Sequence, residues 1–248
     1  MTAMVTSPAT AATDYCQYGK QTTLVLLDRT TPYTGAEQET LIDGVATVYE
    51  QLRAGERLLV RTLVDDHTES RTAFDSCMAK CPSDQGFVAW LLSSCSSVRA
   101  KRERVQQMRG LAEAVKPMIE TRHATPESAV ARSIGTAAEE IRVMASQGRA
   151  QPLGRLVIYS DLIQNTDAFP AAAFKRAAPA EAVRRLDELG VDPGFAGVDV
   201  LVFGFGRDQT AAREALPPGV AQRLKRTWRR FFASNGAASV RITRKYGL

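Results

Sequence analysis

Two acids stand directly after apolar runs in this sequence. Asp28 closes TTLVLLD and is followed by Arg29 and Thr30, while Asp161 follows LVIYS, so that Ser160 and Asp161 form a hydroxyl and carboxylate pair. A carboxylate at the end of a buried strand is aimed by rigid backbone, and hydroxyls from the adjoining loop add further hard oxygens. Mg²⁺ prefers such ligands in an octahedron completed by water. Thr125 or Ser128, at the start of a later helix, offers another hydroxyl. The chemistry expected of this set is binding of Mg²⁺ or Mn²⁺ by Asp28, Thr30, Thr125 and Asp161. The simpler role for the same acids is to cap backbone amides in their own turns.

Catalytic arrangements are weaker. His67 and His123 stand alone in polar loops, and the Gly-x-Ser-x-Gly turn of a serine nucleophile is absent. Gly204-x-Gly206 lacks the third glycine and the helix start of a dinucleotide fingerprint, and no phosphate-loop lysine motif occurs. A carboxylate at a strand end, such as Asp28, can accept a phosphoryl group, but Thr30 stands where an Asp-x-Asp phosphatase has its second acid. The expected function is therefore non-enzymatic, with a metal-dependent phosphohydrolase or nuclease using the same acids as an alternative.

The elements that would position these groups alternate between strand and helix. TTLVLLD (22–28) suits a strand buried on both faces. Leu41, Ile42, Val45, Val48, Tyr49 and Leu52 recur at helical spacing up to Gly55. RLLVRTLV (57–64) is a second strand, and residues 71–75 are a third, paired with it as a hairpin. An irregular, cysteine-containing insertion at about 76–100 includes a short apolar helix around Phe87 to Leu92. A long helix follows over 100–120, with Pro117 near its end. Thr125-Pro126-Glu127 reads as N-cap, first-turn proline and first-turn acid of the next helix.

LVIYS (156–160) and VDVLVFGF (198–205) are further strands, separated by a Pro/Ala-rich stretch and a helix over 180–189. A helix over 220–233, with Leu224, Trp228, Phe231 and Phe232 on one side, then leads to an edge strand over 238–246. The expected fold is a single doubly wound α/β domain over 21–248, with a mostly parallel, Rossmann-like sheet and helices on both faces. Residues 1–20 are expected as a flexible leader. Ligands of such sheets bind beyond the carboxyl ends of the strands, where Asp28 and Asp161 fall.

This order resembles the von Willebrand factor A domain, whose metal-ion-dependent adhesion site uses an Asp-x-Ser-x-Ser loop after the first strand, a Thr before a later helix and an Asp after the fourth strand. Thr30 fits the first hydroxyl position, Pro32 occupies the second with Thr31 beside it, and Leu162 stands where a glycine usually follows the last Asp. The final helix precedes a strand here, where the family usually ends in a helix. The resemblance implies a protein-binding domain with a degenerate metal site whose open position accepts a partner's acidic group.

Cys16, Cys77, Cys81 and Cys95 are even in number, and a downward third strand brings Cys77 to the start of the first strand near Cys16, which favours two disulfides. Zinc is disfavoured because the Cys-x3-Cys spacing lacks a second paired knuckle. The start MTAMVTSPATAATDYC has neither a positive leader nor an apolar core, giving a cytoplasmic expectation. Paired cysteines behind an incomplete N-terminus would instead indicate a bacterial periplasm or the exterior.

Composition adds exclusions. With 248 residues, 44% hydrophobic and 24% charged, the chain is neither disulfide miniprotein nor mostly disordered. No apolar run is long enough to span a bilayer as a helix. The net charge of +5 is local: from Ala215 on there are eight basic residues and no acid, which leaves −3 on the rest. Arg223, Arg226, Arg229 and Arg230 of the last helix are the candidate contacts for the alternative reading, a nucleic-acid-binding protein.

Overall fold

A computed structural model describes residues 14–30, 33–64, 70–82, 95–120, 127–189, 194–208 and 214–245. Its centre is β1 (Thr22–Asp28), all seven of whose residues are buried. β1 lies between β2 (Arg57–Leu63) and β4 (Leu153–Tyr159), parallel to both. β3 (Thr72–Cys77) returns antiparallel to β2, while β5 (Asp199–Phe203) and β6 (Ser239–Ile242) extend the other side in parallel. The described sheet thus has six strands in the order β3-β2-β1-β4-β5-β6.

Alternation along the strands sends side chains to two cores. Leu24, Leu26, Leu156, Ile158, Val200 and Val202 meet α3 (Val130–Ser146), α5 (Pro179–Asp187) and α6 (Pro218–Ser234) on one face. Val25, Leu27, Leu58, Val60, Val157 and Tyr159 meet α1 (Gly35–Glu50) and α2 (Ser97–Glu120) on the other. The doubly wound α/β class expected from the sequence is therefore observed. Among the described residues no helix is long and apolar enough to cross a membrane.

α1 opens with a capping box, in which the Thr34 hydroxyl accepts from the Glu37 amide and the Glu37 carboxylate accepts from the Thr34 amide. Gln107 locks α2 against its neighbours. Its amide group donates to Ser76 Oγ and the Cys77 carbonyl, and its oxygen accepts from Tyr49 Oη and the Ala79 amide.

At the amino edge of the parallel strands, the register places Cys77 opposite Arg57 and Arg57 opposite Thr22. Cys16, in a 3₁₀ turn over Tyr15–Tyr18, reaches Cys77 and forms a disulfide with it. Cys81 pairs with Cys95, and no cysteine is free. From Asp14 onward the stretch read as leader is thus fastened to the domain, and Tyr15 is buried. Gly55 sits in this junction at φ +70°, where a Cβ would fall 2.2 Å from the Tyr15 carbonyl oxygen. The apolar helix expected around Phe87 to Leu92 lies outside the described residues.

Candidate functional site

The parallel strands end at one edge, and the Leu27–Tyr159 register sets Asp28 of β1 beside Ser160, just past β4. Ser160 Oγ donates to Asp28 Oδ2 at 2.5 Å. Asp28 Oδ1 accepts from the Thr30 amide at 2.8 Å and from Thr30 Oγ1 at 2.7 Å. Thr30 Oγ1 lies 3.1 Å from Ser128 Oγ. A carboxylate and three hydroxyls from three separate segments are thereby joined into one oxygen network. Asp28, Thr30, Ser128 and Ser160 are all buried.

Asp161, also buried, accepts from the Ile163 amide at 2.9 Å within its own turn. That is the amide-capping role open to an acid at a strand end. Its neighbour Leu162 has φ +59°, in the left-handed region that disfavours a branched side chain. Leucine here holds a backbone conformation that glycine adopts more readily. Three features hold the strained turn: the Leu162 side chain is fully buried, its amide donates to Ser160 Oγ at 2.9 Å, and its carbonyl accepts from Trp228 Nε1 at 2.8 Å.

The loop before α3 is fixed by backbone pairing, with the Ser128 amide donating to the Asn165 carbonyl and the Asn165 amide to the Ser128 carbonyl. The helix expected to open at Thr125 begins instead at Val130, with Ala129 at its N-cap and no side-chain cap. Ser128 is occupied by this bridge and by Thr30, and the Ala131 amide is met by Gln164 Oε1. Thr125 lies outside the described residues, as do Thr31, Pro32, His67 and His123.

Of the predicted residues, the structure joins Asp28 and Thr30 directly and sets Asp161 in the adjoining turn. Ser128, weighed beside Thr125, supplies a hydroxyl. Ser160 was read only as half of a pair with Asp161; the parallel register is the signal that makes it the partner of Asp28. At the rim, Arg207 makes a 3.1 Å ion pair with Glu37, and Tyr33 Oη donates to the Tyr159 carbonyl. Among the described residues no group of three or more histidine, cysteine or acidic side chains is placed to hold a metal ion, so any cation here would depend on hydroxyl oxygens.

On α6, the aromatic stripe is core, as helical spacing indicated: Trp228, Phe231 and Phe232 are buried and in mutual ring contact. The candidate nucleic-acid contacts are divided. Arg223 donates to the Lys175 carbonyl at 2.9 and 3.1 Å, whereas Arg226, Arg229 and Arg230 are exposed.

No protein-family model matches the chain, and no curated protein matches it in sequence. Among solved structures it is similar to the von Willebrand factor type A protein from Catenulispora acidiphila, at 12% identity and a TM-score of 0.46. The match covers 92% of this chain and 39% of that one, so the chain spans well under half the length of that protein.

Proposed function

We propose that this chain is a non-enzymatic protein-binding α/β domain whose partner docks at the carboxyl edge of the sheet, over the Asp28 network, with Mg²⁺ or Mn²⁺ assisting recognition. The observation that carries this reading is the network itself. Asp28, Thr30, Ser128 and Ser160 gather oxygens from the β1 loop, the α3 approach and the β4 end at the edge where parallel sheets bind ligands. The residue pattern there is also the one that resembles the adhesion site described above.

The donor set fits a hard dication by type, since every side-chain group in it is oxygen. Asp28 with the Thr30, Ser128 and Ser160 hydroxyls would hold the ion. When bound, the ion would supply a positive charge with an open position for a partner's carboxylate. The chain itself orients the Asp28 carboxylate through the Thr30 and Ser160 hydroxyls and fixes Ser160 through the Leu162 turn.

Two disulfides favour an oxidising compartment, a periplasm or the exterior, over the cytoplasm, where thiols are kept reduced.

Calorimetric titration with Mg²⁺ and Mn²⁺ of the wild type and of Asp28→Asn tests the metal, with Ser160→Ala as a milder second variant. Saturable heat in the wild type, lost in Asp28→Asn and weakened in Ser160→Ala, is expected; identical heats in all three would remove the ion. Affinity capture from the native source, with Mg²⁺ or a chelator, tests the docking edge. A partner set that neither chelation nor Asp28→Asn changes would overturn it. Turnover of a generic phosphodiester in Mg²⁺ would overturn the non-enzymatic assignment.

A further inference from the structure

Away from the Asp28 network, a groove of about 410 Å³ runs between α6 and the end of β6. Phe205, Ala221 and Ile242, all buried, give it apolar walls. Its charged lining is of one sign: Lys225, Arg226 and Arg229 from α6, and Arg244 from beyond β6. Positions 225, 226 and 229 fall on neighbouring turns of one helix flank. Arg244 lies against Gly206, where a Cβ would come within 3.3 Å of its Nε.

Elsewhere the cations near this face are engaged: Lys175 pairs with Asp208, Arg207 with Glu37, and Arg223 with the Lys175 carbonyl. Lys225, Arg226, Arg229 and Arg244 make no ion pair or hydrogen bond with any described residue. Four like charges around one cavity repel one another, and the Lys225 ammonium is held below the usual lysine range by partial burial and by Arg229 and Arg244. Such an arrangement is unfavourable without an anion and favourable with one that meets several cations at once.

We infer that this groove binds a compact, multiply charged phosphate ester of the diphosphate class. A single carboxylate would answer one of the four cations; a diphosphate carries enough charge and oxygens for several. Three guanidinium forks suit its tetrahedral oxyanions in bidentate contact. The groove is large enough for a small organic remainder lying on Phe205 and Ile242, and its size is typical of small-molecule sites. A nucleic-acid strand needs cations along an extended track, and Arg223, on α6 as well, is committed to a backbone carbonyl instead.

The test is calorimetry in divalent-free buffer, which keeps it independent of the Asp28 site, with inorganic pyrophosphate and ADP as probes. The proteins are the wild type, Arg226→Gln/Arg229→Gln, Lys225→Gln/Arg244→Gln, and Arg230→Gln as a control outside the groove lining. All of these positions are exposed or half-buried, so the fold, checked by circular dichroism, is expected to persist. Saturable binding at one site should weaken by roughly tenfold or more in each double variant, as loss of charge-assisted hydrogen bonds requires, and should be unchanged in Arg230→Gln. Absence of binding by the wild type, or equal weakening by Arg230→Gln, would overturn the site. Tighter binding of a single-stranded oligonucleotide or of hexaglutamate than of ADP, lost in the same double variants, would overturn the diphosphate assignment in favour of a macromolecule.

Discussion

Replacing Cys16 and Cys77 together by serine should destabilise the domain more than loss of the Cys81–Cys95 bond, while leaving the cores on both sheet faces in place. The two residues are 61 apart in sequence, so their bond closes a loop containing β1, α1, β2 and β3. In the chain-entropy description, closing a loop of that size removes about 14 cal/mol/K from the unfolded ensemble, or about 4.3 kcal/mol at about 25 °C. The Cys81–Cys95 loop spans 14 residues, and the same relation gives about 3 kcal/mol. The loops are consecutive rather than nested, so the two losses should nearly add. The Tyr15–Tyr18 turn would also lose its tether in the first variant, which enlarges the gap. Urea unfolding of the wild type and the two double-serine variants measures both losses, and non-reducing alkylation with intact mass verifies the bonds. Against a typical domain stability of about 5–15 kcal/mol, a loss of about 4 is readily resolved. The m-value should rise in each variant, because the unfolded chain expands. Four alkylatable thiols in protein from its native compartment, or a Cys81/Cys95 variant less stable than the Cys16/Cys77 one, would refute the reasoning.

Ser160→Ala removes the donor to Asp28 Oδ2 and the acceptor of the Leu162 amide, both buried, so urea unfolding should show a loss of about 1.5–3 kcal/mol. A loss no larger than that of an exposed serine would mean that Ser160 does not organise the turn. Two of the six tyrosines, Tyr49 and Tyr159, should resist ionisation, since burial raises both hydroxyls well above their ordinary value of 10.0, with Arg104 only partly opposing this at Tyr49. The folded state then holds these protons more tightly than the unfolded state does. Stability from this source is complete below pH 10.0 and falls as the pH rises beyond it. A phenolate absorbance titration should show Tyr49 and Tyr159 ionising late, together with alkaline unfolding, and the signal lost in Tyr49→Phe and Tyr159→Phe should be late signal; loss of signal near the ordinary value in those variants while the fold persists would contradict this.

The strands around Asp28 and Asp161 were legible because continuous apolar runs ending in an acid describe a strand buried on both faces. The Cys16–Cys77 bond was legible from the even cysteine count together with the direction of β3, which returns Cys77 to the start of β1. Features that depend on tertiary contact were not. α4 (Ala171–Arg176) falls in the Pro/Ala-rich stretch, where local pattern indicates no helix. It is held by Phe174, buried against Phe169 and Trp228. The α3 start was misplaced because Thr125-Pro126-Glu127 carries a strong cap signature, while the backbone pairing of Ser128 with Asn165, remote in sequence, delays the helix to Val130. Nothing local in a leucine announces a positive φ, so the Leu162 turn was invisible from sequence.

That turn explains how the candidate site keeps its shape. A non-glycine residue in the left-handed region costs about 1–3 kcal/mol and persists only where its surroundings over-determine it. Burial of the Leu162 side chain contributes about 1.5–3 kcal/mol in the opposite sense, so the strain is offset by the core rather than by the loop. The Trp228 indole completes the arrangement from below. It is fully buried, ringed by Phe174, Phe231 and Phe232, and its N–H is fixed on the Leu162 carbonyl. The Leu162 amide then orients the Ser160 hydroxyl, and that hydroxyl meets Asp28. Each link passes through a buried group, so the oxygen network is positioned by the packed interior of the domain. A glycine at 162 would relieve the strain but would give up the side-chain burial that anchors the turn, which is a physical reason for leucine to stand there.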